Sequence, residues 1–240
     1  MDILGGAPCS LLLDHLLIPV GAKLRTRIGS LHHNLEGHFP TSLDNLRNFS
    51  NFTTINLYIK RSHPEIRYKE PNGQFSVIPA VNWIDFTTPL LGYLTQFGAS
   101  KTKRLRVVGG DPPTVHVVSR TLSPMQDLRT LAISQCNNLY TFIHSLSPEP
   151  KPSSVVVCPK LEELVLDPLA GGEEFDIQGV IGMAAARASR GAKLKSVKIL
   201  SQDKYVQRKA LELGEYVLHT ECGPDVDVAS DDSDGSDEED

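Results

Sequence analysis

The chain holds 240 residues, 40% hydrophobic and 22% charged, with a formal net charge of −5. That length can bury a sizeable core in one or two domains. No run approaches the ~18 consecutive apolar residues of a membrane span, and the charge balance is too weak to demand a nucleic-acid or membrane-surface partner.

The opening "MDILGGAPCSLLLDHLLIP" has the length of a signal peptide but not its chemistry. Asp2 stands where a basic n-region belongs, and Asp14 and His15 interrupt the apolar run. It reads as part of the fold. Four cysteines (Cys9, Cys136, Cys158, Cys222) lie far apart with no C-x-x-C pair, so they are expected to be reduced and packed in a protein of the cytoplasm, the nucleus or both. The sequons at Asn48 and Asn51 then carry no meaning.

In chain order, residues 8–17 predict a helix ended by Pro19, and "AKLRTRI" (22–28) alternates as a strand. Thr41 and Asp44 make a capping-box pattern before Leu43, Leu46 and Phe49. "FTTINLYI" (52–59) predicts a strand through Phe52, Ile55, Leu57 and Ile59. "EIRYK", "PNG" and "QFSVI" predict a β-hairpin insertion within about 54–80, because Asn72-Gly73 suits a tight turn. Thr88 and Pro89 start a helix with Leu90, Leu91, Leu94 and Phe97 on its buried side and Gly98 beyond it. "RLRVV" (104–108) is the next strand. In "VVGGDPP" (107–113), Pro112 and Pro113 lead into "TVHVV", so no helix is expected to follow and the segment reads as a turn rather than a phosphate cradle.

A repeat then emerges. "LRTLAI" from Leu128, "LEELVL" from Leu161 and "LKSVKI" from Leu194 share an apolar-x-x-apolar-x-apolar frame, with starts 33 residues apart twice over. Such a fixed period marks stacked repeats, and the alternating ending marks a strand with one buried face. Cys136 completes L-x-x-L-x-L-x-x-C in the first copy, whereas Leu169 and Gln202 hold that position in the others. Ankyrin repeats share the period but need a T-P-L-H-x-A turn that is absent, and tetratricopeptide repeats are wholly helical. Three strands spaced by accident remain the plain alternative, since the frame is simple and the spacing exceeds the usual ~20–29 residues.

Between the second and third copies, "EEFDIQGVIGMAAARASRG" predicts a helix with Ile177, Ile181, Ala184 and Ala188 on one face. Glu173 and Glu174 stand at its start, Arg187 and Arg190 in its last turn, and Gly191 past its end. Asp203 caps a further helix buried through Val206, Ala210 and Leu213. Gly214 stops it, and "YVLHTE" (216–221) closes as a strand. The alternation of strand and helix predicts a parallel sheet with helices outside it. The expected architecture is α/β: an irregular leucine-rich-repeat-like solenoid over 1–222 with the hairpin insertion, then a disordered acidic tail over 223–240. Residues 225–240 carry nine acidic residues and no basic one, so the rest of the chain sets 24 basic against 20 acidic residues.

No standard catalytic or nucleotide-binding motif occurs, so the chain is read as non-catalytic and without a cofactor or bound metal. His32, His33 and His38, with Glu36, match no standard metal-ligand spacing and read as solvated. Cys136 with His144 could be drawn as nucleophile and base, but Cys136 already has a packing role. "KTKRLR" (101–106) lacks interleaved aromatics and reads as solvent-facing positions on and before a strand. In the tail, Ser236 precedes Asp237, Glu238 and Glu239, a context for an acid-directed kinase; a plain solubilising tail is the other reading.

The phrases "PCSLLLDHL", "SLDNLRNFSNFTTINLYI", "CPKLEELVL", "AAARASRGAKLKSVKI", "VLHTECGP" and "DDSDGSDEED" span almost the whole chain. Together they resemble the C-terminal leucine-rich-repeat-like region of F-box proteins of mushroom-forming (basidiomycete) fungi. The resemblance implies a binding module. An N-terminal F-box docks such proteins on the adaptor of an SCF-type ubiquitin ligase, and the repeat region holds the protein to be ubiquitinated. This sequence departs from the pattern because it contains no F-box. The nearest fragment, "HPEIRY" (63–68), lies inside the expected hairpin, so the adaptor is a partner only if an F-box precedes Met1. The expected partner is a protein, with no nucleic acid or membrane. It would meet the sheet side at Thr130, Ala132 and Ser134, at Glu163, Val165 and Asp167, and at Ser196 and Lys198, the positions alternating with the buried ones. A stand-alone leucine-rich-repeat interaction module unrelated to ubiquitin is the alternative.

Overall fold

A computed structural model of the chain describes residues 2–5, 23–28, 53–58, 65–70, 73–79, 99–109, 114–149, 155–168 and 175–224. The predicted helices at 8–17 and 88–97, the capping box at Thr41, the histidines at 32–38 and the acidic segment 225–240 lie outside those residues. Ten strands form one sheet: β1 (Asp2–Gly5), β2 (Lys23–Ile28), β3 (Thr54–Tyr58), β4 (Glu65–Glu70), β5 (Gly73–Pro79), β6 (Arg104–Val108), β7 (Thr130–Cys136), β8 (Glu163–Pro168), β9 (Ser196–Ile199) and β10 (His219–Cys222). Their spatial order is β1-β2-β5-β4-β3-β6-β7-β8-β9-β10. Among them β4 alone runs against its neighbours, pairing antiparallel with β3 and with β5, where Glu70 stands opposite Gly73.

The six strands β3 and β6–β10 run parallel throughout. In β7, β8 and β9 the residues that pair are those 33 apart in sequence: Leu131 with Leu164 and Val197, Ile133 with Leu166 and Ile199. The period is therefore a register, with no stagger between successive strands. Just before each strand a single carbonyl accepts two N–H bonds from the next rung. Lys103 O accepts from Arg129 and Thr130, Arg129 O from Glu162 and Glu163, and Glu162 O from Lys195 and Ser196. The leucine that opens each frame, Leu128, Leu161 and Leu194, is buried as well, so all nine apolar frame positions lie in the core. Each fully buried leucine or valine contributes about 1.5–3 kcal/mol relative to exposure.

Four helices cross between the parallel strands: α1 (Val115–Leu122), α2 (Tyr140–Leu146), α3 (Ile177–Ser189) and α4 (Lys204–Ala210). They pack in succession, α1 on α2, α2 on α3 and α3 on α4, and all four contribute to one core with the frame residues of the strands. The sheet thus has a helix-covered face and, one residue out of phase along each strand, a second face that is helix-free among the described residues.

Helix α1 corrects the sequence reading, which expects no helix after the double proline. Val118, Thr121 and Leu122 are buried at helical spacing, and this packing overrides the strand preference of "VHVV". Helix α2 is also absent from the sequence reading, although Phe142, Ile143 and Leu146 carry the one-sided spacing of a short helix. Helix α3 lies where predicted but is rotated. Its buried side is Ile177, Val180, Met183, Ala184 and Arg187, while Ile181 and Ala188 stay half-buried. Its N-cap is Asp176, whose carboxylate accepts from the Gly179 N–H at 2.8 Å. Gly191, at φ +73°, ends it in a Schellman arrangement with Ala192 N–H on Arg187 O and Gly191 N–H on Ala188 O. Asp203 caps α4 through Tyr205 N–H at 2.7 Å. Leu213 follows in a 3-10 turn, Leu211–Glu215. The closing strand runs His219–Cys222, later than the 216–221 predicted, because Val217 turns into the core first.

Strand β7 carries a bulge. Strict alternation would point Cys136 the same way as Ser134, yet Gln135 adopts φ +55° and the register with β8 shifts between Ser134 and Cys136. Gln135 is thereby exposed and Cys136 enters the core, its thiol 3.2 Å from the Gly109 carbonyl oxygen.

Candidate binding face

The eight sequence-predicted positions assemble into one block of the helix-free face. Thr130, Glu163 and Ser196 form one row across β7, β8 and β9. Ala132, Val165 and Lys198 form the next, and Ser134 stands beside Asp167. Ala132, Ser134 and Val165 are buried between the longer side chains around them, and the other five are half-buried. The block is therefore a small apolar floor, Ala132 and Val165, rimmed by polar groups.

Ion pairs tie the rim together. Lys198 Nζ lies 3.6 Å from Glu163 Oε1 and 3.8 Å from Glu221 Oε2, and His219 Nε2 lies 2.7 Å from Glu221 Oε1. Thr130 Oγ1 donates to Glu163 Oε2 at 3.4 Å. Pairs this exposed contribute about 0–1 kcal/mol each, so they orient the side chains more than they stabilise the fold. Burial pushes the Asp167 carboxyl above the usual carboxylate range, opposed by the charge of Arg106. Sequence reasoning omits Arg106, Glu221 and His219 from the block. Their signal was present as alternation in "RLRVV" and "LHTE", but the rows that join them to β8 and β9 are set by pairing.

A second ladder follows the start of the strands, where Glu162 sits between Arg129 at 3.6 Å and Lys195 at 3.0 Å. The Lys195 ammonium, through its hydrogen bond, holds the Glu162 carboxyl below its ordinary range. These residues are again 33 apart, so the period recurs in charge as well as in apolar side chains.

Among the described cysteines, Cys136 and Cys158 are buried in the core. Cys136 is 2% exposed and within the core, whereas His144 is exposed with its ring centroid 4.0 Å from that of Tyr140. Burial pushes the Cys158 thiol up to about 12, so it stays protonated at neutral pH. Arg187, read from sequence as a cation at a helix terminus, is 0% exposed. Its Nη1 donates to Val157 O at 2.8 Å and to Leu146 O at 3.4 Å, and its Nη2 to Cys158 O at 2.8 Å. It thus clamps the C-terminus of α2 to the segment entering β8, a structural role that its position near the end of α3 disguised. Burial lowers its pKa from the ordinary arginine range, with the nearby Cys158 acting the other way.

Among the described residues no group of three or more His, Cys, Asp or Glu could hold a metal ion, and no helix is long and apolar enough to cross a membrane. Comparison of the chain with protein-family models, with curated proteins and with solved structures finds no match.

Proposed function

We propose that this chain is a non-catalytic protein-binding scaffold of the cytoplasm or nucleus, the substrate-recognition region of an F-box-type receptor of an SCF ubiquitin ligase. In this reading the parallel strands and their helices form an irregular leucine-rich-repeat-like solenoid, and β4 with β5 is a hairpin inserted into it. The observation that carries it is the unstaggered register of β7, β8 and β9, which lines up equivalent positions into rows on a face that no described helix covers. Rows of this kind suit an extended partner, which can run across several strands and meet the same kind of position at each step. Alternation supports it too. A parallel sheet covered on both faces has nearly continuous apolar strands, whereas these strands place Thr130, Glu163 and Ser196 opposite the core.

The test combines the native transcript with partner capture. An in-frame F-box upstream of Met1, with the ligase adaptor and cullin co-purifying with the tagged native protein, is the expected result. Substitution of Glu163, Asp167 and Lys198 by alanine should then abolish capture of the ubiquitinated protein while the adaptor stays bound. Capture unaffected by the triple substitution would overturn the face. Absence of adaptor and cullin from the native complex would leave a stand-alone interaction module.

A further inference from the structure

We propose that the open edge of β10 pairs with the β10 edge of a second copy of this chain, antiparallel about a two-fold axis at Thr220. This contact needs no link to ubiquitin and no partner on the helix-free face.

Strand β10 ends the sheet, and no described strand pairs with its outer side. Its N–H groups at His219 and Gly223 donate to Lys195 O at 2.9 Å and to Ile199 O at 3.1 Å. Backbone groups alternate in direction along a strand, so those of Thr220 and Cys222 point to the open edge. The side chains show the same lack of cover. The positions equivalent to Thr220 on β7, β8 and β9 are Leu131, Leu164 and Val197, and those equivalent to Cys222 are Ile133, Leu166 and Ile199. All six are buried, whereas Thr220 and Cys222 are half-buried. The Thr220 Oγ1 atom is itself buried and has no hydrogen-bond partner. Charge, the usual guard of a sheet edge, is also missing where β10 begins. The position just before β6, β7, β8 and β9 holds Lys103, Arg129, Glu162 and Lys195, but before β10 it holds Leu218, 72% exposed.

A second copy meets this edge with complementary groups. In the register centred on Thr220, the two Thr220 residues face each other and their hydroxyls can supply the partner that each lacks. His219 then faces the partner's Glu221, twice over by symmetry, and Leu218 faces the partner's Cys222. An axis at His219 or at Glu221 would instead set like groups opposite one another. An axis at Cys222 would place Thr220 against Pro224, which has no N–H to give. Charge and proline therefore select one register among those centred within β10. The axis stands perpendicular to the sheet, so the two helix-covered faces lie on the same side. Such a contact is isologous and closes at two copies. The paired segment is short against the roughly 20–30 residues a side of a standard interface, so the dimer is weak and depends on concentration.

Sedimentation velocity of the full chain from about 10 μM to about 1 mM tests this, and should show monomer giving way to dimer with nothing larger. H219E and E221K should each weaken association about tenfold, because each breaks both cross-strand pairs. Their equimolar mixture should regain it, since the exchanged charges then face each other between copies; the His219–Glu221 contact within one copy cannot produce that rescue. As a second reading, T220C/C222A should form a disulfide-linked dimer at least about tenfold faster than E221C/C222A. Facing residues of a hydrogen-bonded antiparallel pair have Cα atoms ~5.5 Å apart, within disulfide range, and residues out of register do not. A chain still monomeric at about 1 mM would overturn the proposal and leave the edge to a strand of another protein. Assembly beyond two copies, a mixture no tighter than its components, or equal rates of disulfide linking would overturn it as well.

Discussion

The two faces of the sheet differ although the same strands build them. On the helix side, Leu131, Leu164 and Val197 and their neighbours Ile133, Leu166 and Ile199 form two continuous apolar rows beneath α1–α4. On the other side, one residue out of phase, Arg106, Ala132, Val165, Lys198 and Glu221 share a row in which charge and small apolar groups mix. A parallel strand with this alternation stabilises the fold through one face only. No described helix packs on the other face, so apart from the buried Ala132, Ser134 and Val165 its side chains are less constrained while the rows keep their register.

This contrast predicts a graded response to substitution. The largest loss should come from Arg187→Ala. It orphans the buried carbonyls of Val157 and Cys158, at about 1–3 kcal/mol each, and leaves a void, for a total of about 3–5 kcal/mol in urea denaturation. Arg187→Met, which keeps the volume, should lose less. If the two variants unfold at the same midpoint, the clamp is packing alone. Leu164→Ala, in the centre of an apolar row, should cost about 2–5 kcal/mol. A loss below that range would mean that the helix side is not the load of the fold.

The smallest effect belongs to the helix-free face. Burial raises the Asp167 carboxyl's folded-state pKa, against the pull of Arg106. The native state therefore holds the proton to higher pH than the unfolded chain, and stability contributed by this group falls as pH rises through its folded pKa. Asp167→Asn removes that decline. It should gain on the native protein between about pH 4 and pH 7 by less than about 1 kcal/mol, because the group is only partly desolvated. Comparing the variant with the native protein cancels the opposite contributions of Asp127 and Glu162, whose carboxyls Lys160 and Lys195 hold low. A gain that grows toward acid would reverse the assignment.

The legible parts of the fold were those in which one residue type served both local preference and burial. The L-x-x-L-x-L frames, the Asp203 cap and Gly191 after α3 could be read because alternation, capping and a positive φ each leave a local mark. Helix α1 was not legible, since "VHVV" prefers a strand and becomes helical only because Val118 and Leu122 reach the core from that geometry. The rotation of α3 escaped for a related reason. Hydrophobicity alone favours Ile181 over Arg187, yet the guanidinium finds carbonyl acceptors that composition does not reveal.

The same division holds for the candidate site. Sequence by itself determined which residues of β7, β8 and β9 face away from the core, because the period of a strand is two and the period of the frames is 33. Only the tertiary structure decided which strands lie side by side. The order β2-β5-β4-β3-β6 gathers residues from 23 to 106 into common rows. Pairing between distant segments is fixed by backbone hydrogen bonds and by burial of the opposite face, and neither leaves a mark on any local stretch of sequence.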